Sequence, residues 1–405
     1  MQAPAVNDDL FSPTALADPY PVFERLRGAA PIHLLPEQGL HLVVGHDAVR
    51  AVLADPDTFS SNIVEVLQVA DDQVSASEAG AVDVLATADA PTHTFHRKLV
   101  SPAFSRRRVG ELADRIDRLI DDRLVPALGS DAFDWMATIA SPVPVLMIGE
   151  LLGLPAADAD RLQQWSDTAV EMLSGLVTPD RLTEVTASIM EFMAYLAAQL
   201  DTALRSPCGG LIDAVAIEVA EGRMTPEHAN ILLVQLVTAG SESTTSLIGT
   251  AARMVAGDAV LQRELRDDPA RIPALIEEAV RLDSPFRGHY RVTTADAVIE
   301  GVELPAGSRL MLLWGAANRD DRVFDAPDAI DLDRPNPKVH NSFGHGIHFC
   351  IGAHLARLEA TRAIIRLLES TGSVTLPPDY AADYVPSLFI RRLAQLPLIV
   401  TEVAR

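Results

Sequence analysis

Through the middle of the chain, apolar residues recur every three or four positions. RRVGELADRIDRLIDDRL (107–124) and RLTEVTASIMEFMAYLAAQLDTAL (181–204) carry that spacing, which predicts amphipathic helices. Proline and glycine at 153–155 and 207–210 punctuate these runs, so 91 to about 285 reads as mostly helix. Strand-like text appears late, at 290–307, 309–314 and near 389–400. Near the other end, HLVVGHDAVRAVLADP (41–56) reads as a strand, a turn and a helix. Residues 60–90 have no clean period and read as a long, partly helical loop, a length that in a compact domain usually carries function. That segment and residues 170–190 or so are the expected lids. The predicted class is mainly α with small β-sheets at the two ends of the chain, an α+β arrangement.

One predicted helix is unusual. Thr225-Pro226-Glu227 is a strong start, with a side-chain cap, a proline in the first turn and an acid facing the dipole. The run that follows would span on the order of 45 Å. Its ends are apolar on more than one face, yet Gly240-Ser241-Glu242-Ser243-Thr244-Thr245 lies near its centre. Buried hydroxyls and an acid are costly without partners. Two explanations stay open: two shorter helices meeting at Gly240 with an exposed polar turn, or a core helix opened or bulged at a functional site.

Composition narrows the function. The 405 residues are 48% hydrophobic and 22% charged, as in a globular protein, and no uninterrupted apolar run approaches the roughly 18 residues of a membrane span. The N-terminus has no secretory signature, and two widely separated cysteines argue against a disulfide framework, so a cytoplasmic protein without membrane association is expected. Cys208, in RSPCGG, reads as a free loop thiol. A formal charge of −23 argues against nucleic-acid binding, though Arg97–Lys98 and Arg106–Arg108 form a local basic cluster suited either to solvent or to an acidic partner.

The other cysteine has different company. SFGHGIHFCIGAH (342–354) surrounds Cys350 with His345, His348 and His354 and with Gly344, Gly346 and Gly352, just before a helical period begins. A zinc site would use Cys350, His354 and perhaps other nearby histidines, but no second cysteine pair or His-x3-His is near. A cysteine nucleophile has no local base to identify it. A haem thiolate suits the glycines, which let backbone N–H groups approach the sulfur, and the helix start, whose dipole favours an anion.

Taken together, the motifs resemble the cytochrome P450 family, in particular its soluble bacterial members. SFGHGIHFCIG is similar to the family's haem-thiolate loop at Phe343, Gly344, Gly346, Cys350 and Gly352. AGSEST (239–244) resembles its oxygen-binding pattern, with Ala239 and Gly240 beside the cofactor and Glu242, Ser243 and Thr244 as the proton-relay residues. Glu278 and Arg281 match its Glu-x-x-Arg, His93 and Arg97 its early His-x-x-x-Arg, and the stretch ending at Arg334 its pre-haem segment. The resemblance covers nearly the whole chain, 1–405, as one P450-like domain with a long central helix over a buried haem. It implies haem b with Cys350 as axial ligand, and His93, Arg97, Arg291 and His348 as propionate partners. Glu278, Arg281 and Arg334 read as structural, His345 and His354 as surface residues. One departure stands out: where the family most often has threonine after the acid, this chain has Ser243, which keeps the hydroxyl but loses the methyl that restricts its rotamer.

The resemblance further implies a monooxygenase that uses O2 on a small-to-medium, mostly apolar substrate. Leu236, Val237, Leu388 and Phe389 are the expected apolar pocket residues. Period-two alternation puts Arg287, His289 and Arg291 on one face, so Arg287 is expected near the pocket, serving either a propionate or a carboxylate of the substrate. Electrons are expected from a ferredoxin, with its NAD(P)H-dependent reductase, on a basic face of a monomer. Oxidative coupling or rearrangement and a non-catalytic haem sensor are the alternatives; the acid–hydroxyl pair argues against the sensor.

Overall fold

A computed structural model describes residues 1–6, 10, 12–62, 83–130, 132–173 and 176–401. Most of the expected 60–90 lid, residues 63–82, lies outside the described residues, as do 174–175 in the second lid. The chain divides into two compact units.

The first unit comprises Met1–Val100, Phe286–Ala329 and Val339–Ile351. Its frame is a five-stranded sheet of β1 (Ile32–Leu35), β2 (Leu40–Val43), β3 (Phe59–Ser60), β4 (Gly288–Thr293) and β5 (Arg309–Leu313), in the order β1-β2-β5-β4-β3. β2 and β5 run parallel, with Leu40 opposite Arg309; β4 returns antiparallel, with Arg291 opposite Leu310. Side chains from the two faces fill two clusters, one around Ile32, Val43, Leu310 and Leu312, the other around Leu42, Met311 and Leu313. The alternation of faces explains this split between neighbouring residues of one strand. Helix α1 (Thr92–Val100) belongs to this unit.

The second unit comprises Ser101–Pro285, Ile330–Lys338 and Gly352–Arg405. Its predicted helix at 107–124 is two helices, α2 (Arg106–Gly110), capped by Ser105, and α3 (Ala113–Ala127). Next come α4 (Pro142–Leu152), α5 (Ala159–Leu173), α6 (Pro179–Arg205), α7 (Pro226–Gly257), α8 (Ile272–Leu282) and α9 (Ala353–Ser370). Of the strand predicted near 389–400, only Pro397–Thr401 forms, between Ala132–Asp134 and Ser373–Thr375 in a three-stranded sheet. Residues 389–396 are held instead by scattered backbone bonds, among them the Arg391 N–H to the Pro285 carbonyl (2.8 Å) and the Ala394 N–H to the Asp383 carbonyl (2.9 Å), and by the Arg391–Asp283 ion pair.

Helices α4, α5, α6, α8 and α9 all pack against α7. The Thr225 hydroxyl accepts from the His228 N–H, as expected of its cap. Neither sequence-based account of the polar middle holds, because α7 runs unbroken through Gly240–Thr245. Three hydroxyls there donate to carbonyls one turn back: Ser241 to Val237 (2.8 Å), Ser243 to Ala239 (2.9 Å) and Thr244 to Gly240 (3.1 Å). Local back-bonding supplies the partners that an opened helix would otherwise have to find. For the same reason α7 is, among the described residues, one helix long and apolar enough to cross a membrane; 67% of that stretch is buried inside the protein, the situation of a core helix.

Behind α7 lies a buried charge network. Glu278 accepts two hydrogen bonds from Arg281 (2.7 Å each), two from Arg334 (3.0 and 3.2 Å) and one from the Asp331 N–H (3.0 Å). Burial pushes the carboxyl upward, but the guanidinium bonds outweigh it and hold it below the usual carboxylate range. Replacing Glu278 by glutamine strands two buried guanidiniums, so the folded state is expected to lose about 3–5 kcal/mol at neutral pH. Because the carboxyl is depressed in the folded state, the loss is largest above its unfolded value and fades as pH falls. Urea unfolding of both proteins at neutral and acidic pH measures this.

Candidate active site

In the first unit the Cys350 loop is shaped by two glycines. Gly344 and Gly346 have φ of +69° and +68°, the left-handed region that other residues avoid. A side chain at Gly346 would also stand 2.6 Å from the Leu53 carbonyl oxygen. The Gly344 N–H donates to Asn341 (2.7 Å) and the Cys350 N–H to the Phe343 carbonyl (2.8 Å), which closes the loop on itself. Phe343 lies between the rings of His340 (5.8 Å) and Phe349 (6.4 Å). Helix α9 begins at Ala353 with Gly352 as its cap residue, so Cys350 precedes the helix start instead of sitting in it.

Beside this loop the first unit gathers cationic and imidazole groups. The rings of His93 and His348 are 4.2 Å apart, and the Nε2 atom of each is buried with no hydrogen-bond partner in the protein. Arg291, 6% exposed, donates to the Tyr290 carbonyl (2.7 Å). Burial pushes His348 down to about 3, reinforced by Arg291, His93, Arg97 and His289. Arg97 is lowered by burial and pulled back up by Cys350. Such a nest, with two orphaned imidazole nitrogens and two arginines around a cysteine, is costly unless anions complete it. These residues fit a haem whose propionates they would hold and whose iron Cys350 would bind.

In the second unit α7 shows two polar stripes. Ala239 is exposed and Gly240 and Ser243 are half-buried beside buried Thr238, Ser241, Glu242 and Thr244, so one side of the middle of α7 is open. Thr244 is buried. Glu242 is turned inward at 1% exposure, where burial pushes its carboxyl up to about 7, opposed by Arg392 and assisted by Asp167. Arg392 Nε lies 3.0 Å from its Oε1, but the N–H is not aimed at the oxygen, so both carboxylate oxygens lack a hydrogen bond. A Cβ on Gly240 would be 3.0 Å from Ile148, which fixes how closely α4 approaches.

The remaining predicted residues have clear places. Leu236 and Val237 are buried in α7, while Leu388 and Phe389 are half-buried in the C-terminal segment. Arg287 precedes β4, is buried, and donates to the Leu16 carbonyl (2.5 Å) in the short helix Pro13–Ala17. His289 accepts from Trp314 (3.0 Å). His345 accepts from Arg50 (2.7 Å) and His354 from Arg106 (3.0 Å), so neither is set up with Cys350 as a metal ligand. Among the described residues no cluster of three or more histidine, cysteine or acidic groups is placed to hold a metal ion. Arg392 and Asp167 were not singled out from the sequence; the only trace is the doubled arginine of FIRRL.

Comparison with known proteins agrees with this geometry. The family model described as Cytochrome P450 matches residues 178–371. The chain is 38% identical over 395 residues to "Cytochrome P450 144" of Mycobacterium tuberculosis, covering 96% of this chain and 91% of that protein. It is 33% identical to the "Vitamin D(3) 25-hydroxylase" of Pseudonocardia autotrophica, covering 96% of each. Among solved structures, that of CalO2 superposes with a TM-score of 0.89 at 28% identity over the full length of both chains.

Proposed function

The chain belongs to the cytochrome P450 family of haem-thiolate monooxygenases, and we propose that it acts as one domain that oxygenates a small-to-medium, mostly apolar organic molecule. The observation that carries the assignment of its site is the nest beside the Cys350 loop, made of buried His93 and Arg291 and half-buried Arg97 and His348. When bound, the haem supplies the activation of O2, which a thiolate ligand promotes by donating electron density. Cys350 is the thiolate, and the nest neutralises the propionates. Gly344 and Gly346 keep the loop short enough to expose backbone N–H groups around the sulfur.

On α7, Glu242 and Ser243 handle protons. Ser243, on the open stripe, presents a hydroxyl that already donates to Ala239 and accepts a further hydrogen bond. Glu242 holds a proton at Oε1 or Oε2 near neutral pH, because burial favours its neutral form. Leu236, Val237, Leu388 and Phe389 supply apolar surface for the substrate and exclude water. The relative named Vitamin D(3) 25-hydroxylase supports an apolar substrate class and C–H hydroxylation. We assign electron delivery to an acidic ferredoxin. In the second unit Arg106, Arg357 and Lys338 suppress the protonation of His354 after burial, and exposed Arg107 and Arg108, both paired with Glu111, follow Arg106 in α2.

Three outcomes test this reading. Cys350→Ser is expected to keep the fold by circular dichroism but lose the thiolate carbon monoxide difference spectrum of the reduced protein; retention of that spectrum refutes the ligand assignment. Ser243→Thr is expected to raise product formed per NAD(P)H consumed and Ser243→Ala to lower it, because threonine restricts the hydroxyl rotamer; equal yields in all three proteins remove Ser243 from the relay. Reversing Arg107 and Arg108 to glutamate is expected to slow reduction by a ferredoxin severalfold at low salt, with the deficit shrinking as salt rises.

A further inference from the structure

Leu388 and Phe389 sit at the tip of a short hairpin in the C-terminal segment. Tyr384 and Leu393 form an isolated antiparallel bridge. The Val385 N–H donates to the Arg392 carbonyl and the Ala394 N–H to the Asp383 carbonyl, each at 2.9 Å, which leaves residues 386–391 as the tip. The hydroxyl of buried Ser387 sets its turn by accepting from the N–H groups of Phe389 (3.1 Å) and Ile390 (3.0 Å). A two-stranded hairpin is marginally stable by itself, so the place of this tip depends on what it is fastened to.

Arg391, at the base of the tip, is fastened through its backbone and its side chain. Its N–H donates to the Pro285 carbonyl (2.8 Å), just beyond α8. Its carbonyl accepts from the hydroxyl of buried Ser246 on α7. Its guanidinium lies over the Tyr384 ring at 3.7 Å and donates from Nε to Oδ1 of Asp283, the C-cap residue of α8. The Arg391 and Asp283 side chains are 7% and 4% exposed, so the pair is closed to solvent. Asp283 Oδ2 accepts from the Tyr384 hydroxyl (3.3 Å) and, at 3.5 Å, from Thr250 and Arg253 of α7. One carboxylate thus joins α7, α8 and both arms of the hairpin. Ser246 lies three residues past Ser243, so the clamp holds the base of the tip within one turn of the open stripe on α7.

We propose that the clamp of Asp283 and Ser246 on Arg391 sets substrate specificity: it fixes where Leu388 and Phe389 stand beside α7, and so which carbon of an apolar substrate is presented for oxygenation. This deepens the reading of those two side chains as substrate surface and rests on it. Asp283 and Ser246 are positioning residues, acting from behind the tip through the backbone that carries Phe389. A buried guanidinium stripped of its carboxylate draws water or a new acceptor towards itself, and the backbone on either side follows. The tip then takes up several positions, while the Cys350 loop, which belongs to the first unit, stays as it is. An ion pair that served stability alone would lower the melting temperature and leave ligand discrimination untouched.

The test is a spectral titration of the haem-loaded protein with imidazole and with 1-octylimidazole, whose ring ligates haem iron and whose tail probes the apolar surface. The readout is the ratio of the two affinities, with thermal melting followed alongside. Phe389→Ala is expected to lower the preference for the octyl ligand. Asp283→Asn is expected to lower it by about fivefold, with imidazole affinity unchanged. Combining the two should lower it no further than the larger single loss, because both changes act on the same side chain. Ser246→Ala removes one anchor without stranding a charge; it should lower the preference in a protein that melts near wild type, and it carries the test if Asp283→Asn does not fold. An unchanged preference in folded Asp283→Asn or in Ser246→Ala, equal losses for both ligands, or additive losses in the double variant would overturn the clamp. An unchanged preference in both Leu388→Ala and Phe389→Ala would instead overturn the pocket reading beneath it.

Discussion

The demand that every buried polar group find a partner organises the second unit. A 32-residue helix threads its core with five hydroxyls and an acid at its centre, among them residues that favour turns and caps over helix interiors. Ser241, Ser243 and Thr244 meet the demand by bonding to their own helix, which preserves the ladder and leaves Gly240 free to admit α4 closely. Glu242 cannot do the same, since a carboxylate accepts but does not donate. It is therefore the residue for which neighbouring elements must provide, and α5 and the C-terminal segment are arranged around it.

The first unit answers the opposite problem. Its sheet is a conventional apolar sandwich of side chains, yet it delivers two arginines and two histidines to one buried place with few acids nearby. Protein groups alone leave that place unbalanced. An anionic cofactor would complete its chemistry, and the loop that carries Cys350 is bent by Gly344 and Gly346.

Local pattern made much of this legible. The Cys350 loop, the His93–Arg97 pair and the acid–hydroxyl run are each written within a dozen residues, so each can carry the resemblance to the cytochrome P450 family. The five-stranded sheet was partly legible for the same reason, since its strands alternate cleanly. What failed was whatever depended on distant partners. The middle of α7 looked breakable because its hydroxyls were counted as unsatisfied; their back-bonds are a three-dimensional fact. Residues 389–396 read as strand text, but their backbone partners are scattered, with the Arg391 N–H on the Pro285 carbonyl and its side chain paired with Asp283. Arg287 shares a period with Arg291, and its bond to the distant Leu16 carbonyl is announced by no local pattern. Arg392 carries no motif at all.

The chain contains only two lysines, and every buried ion pair described above takes its cation from arginine. A guanidinium does not give up its proton within the range proteins tolerate. Alkali therefore cannot discharge these pairs from the cationic side, whereas acid discharges them from the carboxylate side, one partner after another. The electrostatic scaffold is one-sided at Glu278, tolerant of base and limited by acid, whereas Glu242, whose neutral form burial favours, runs the other way.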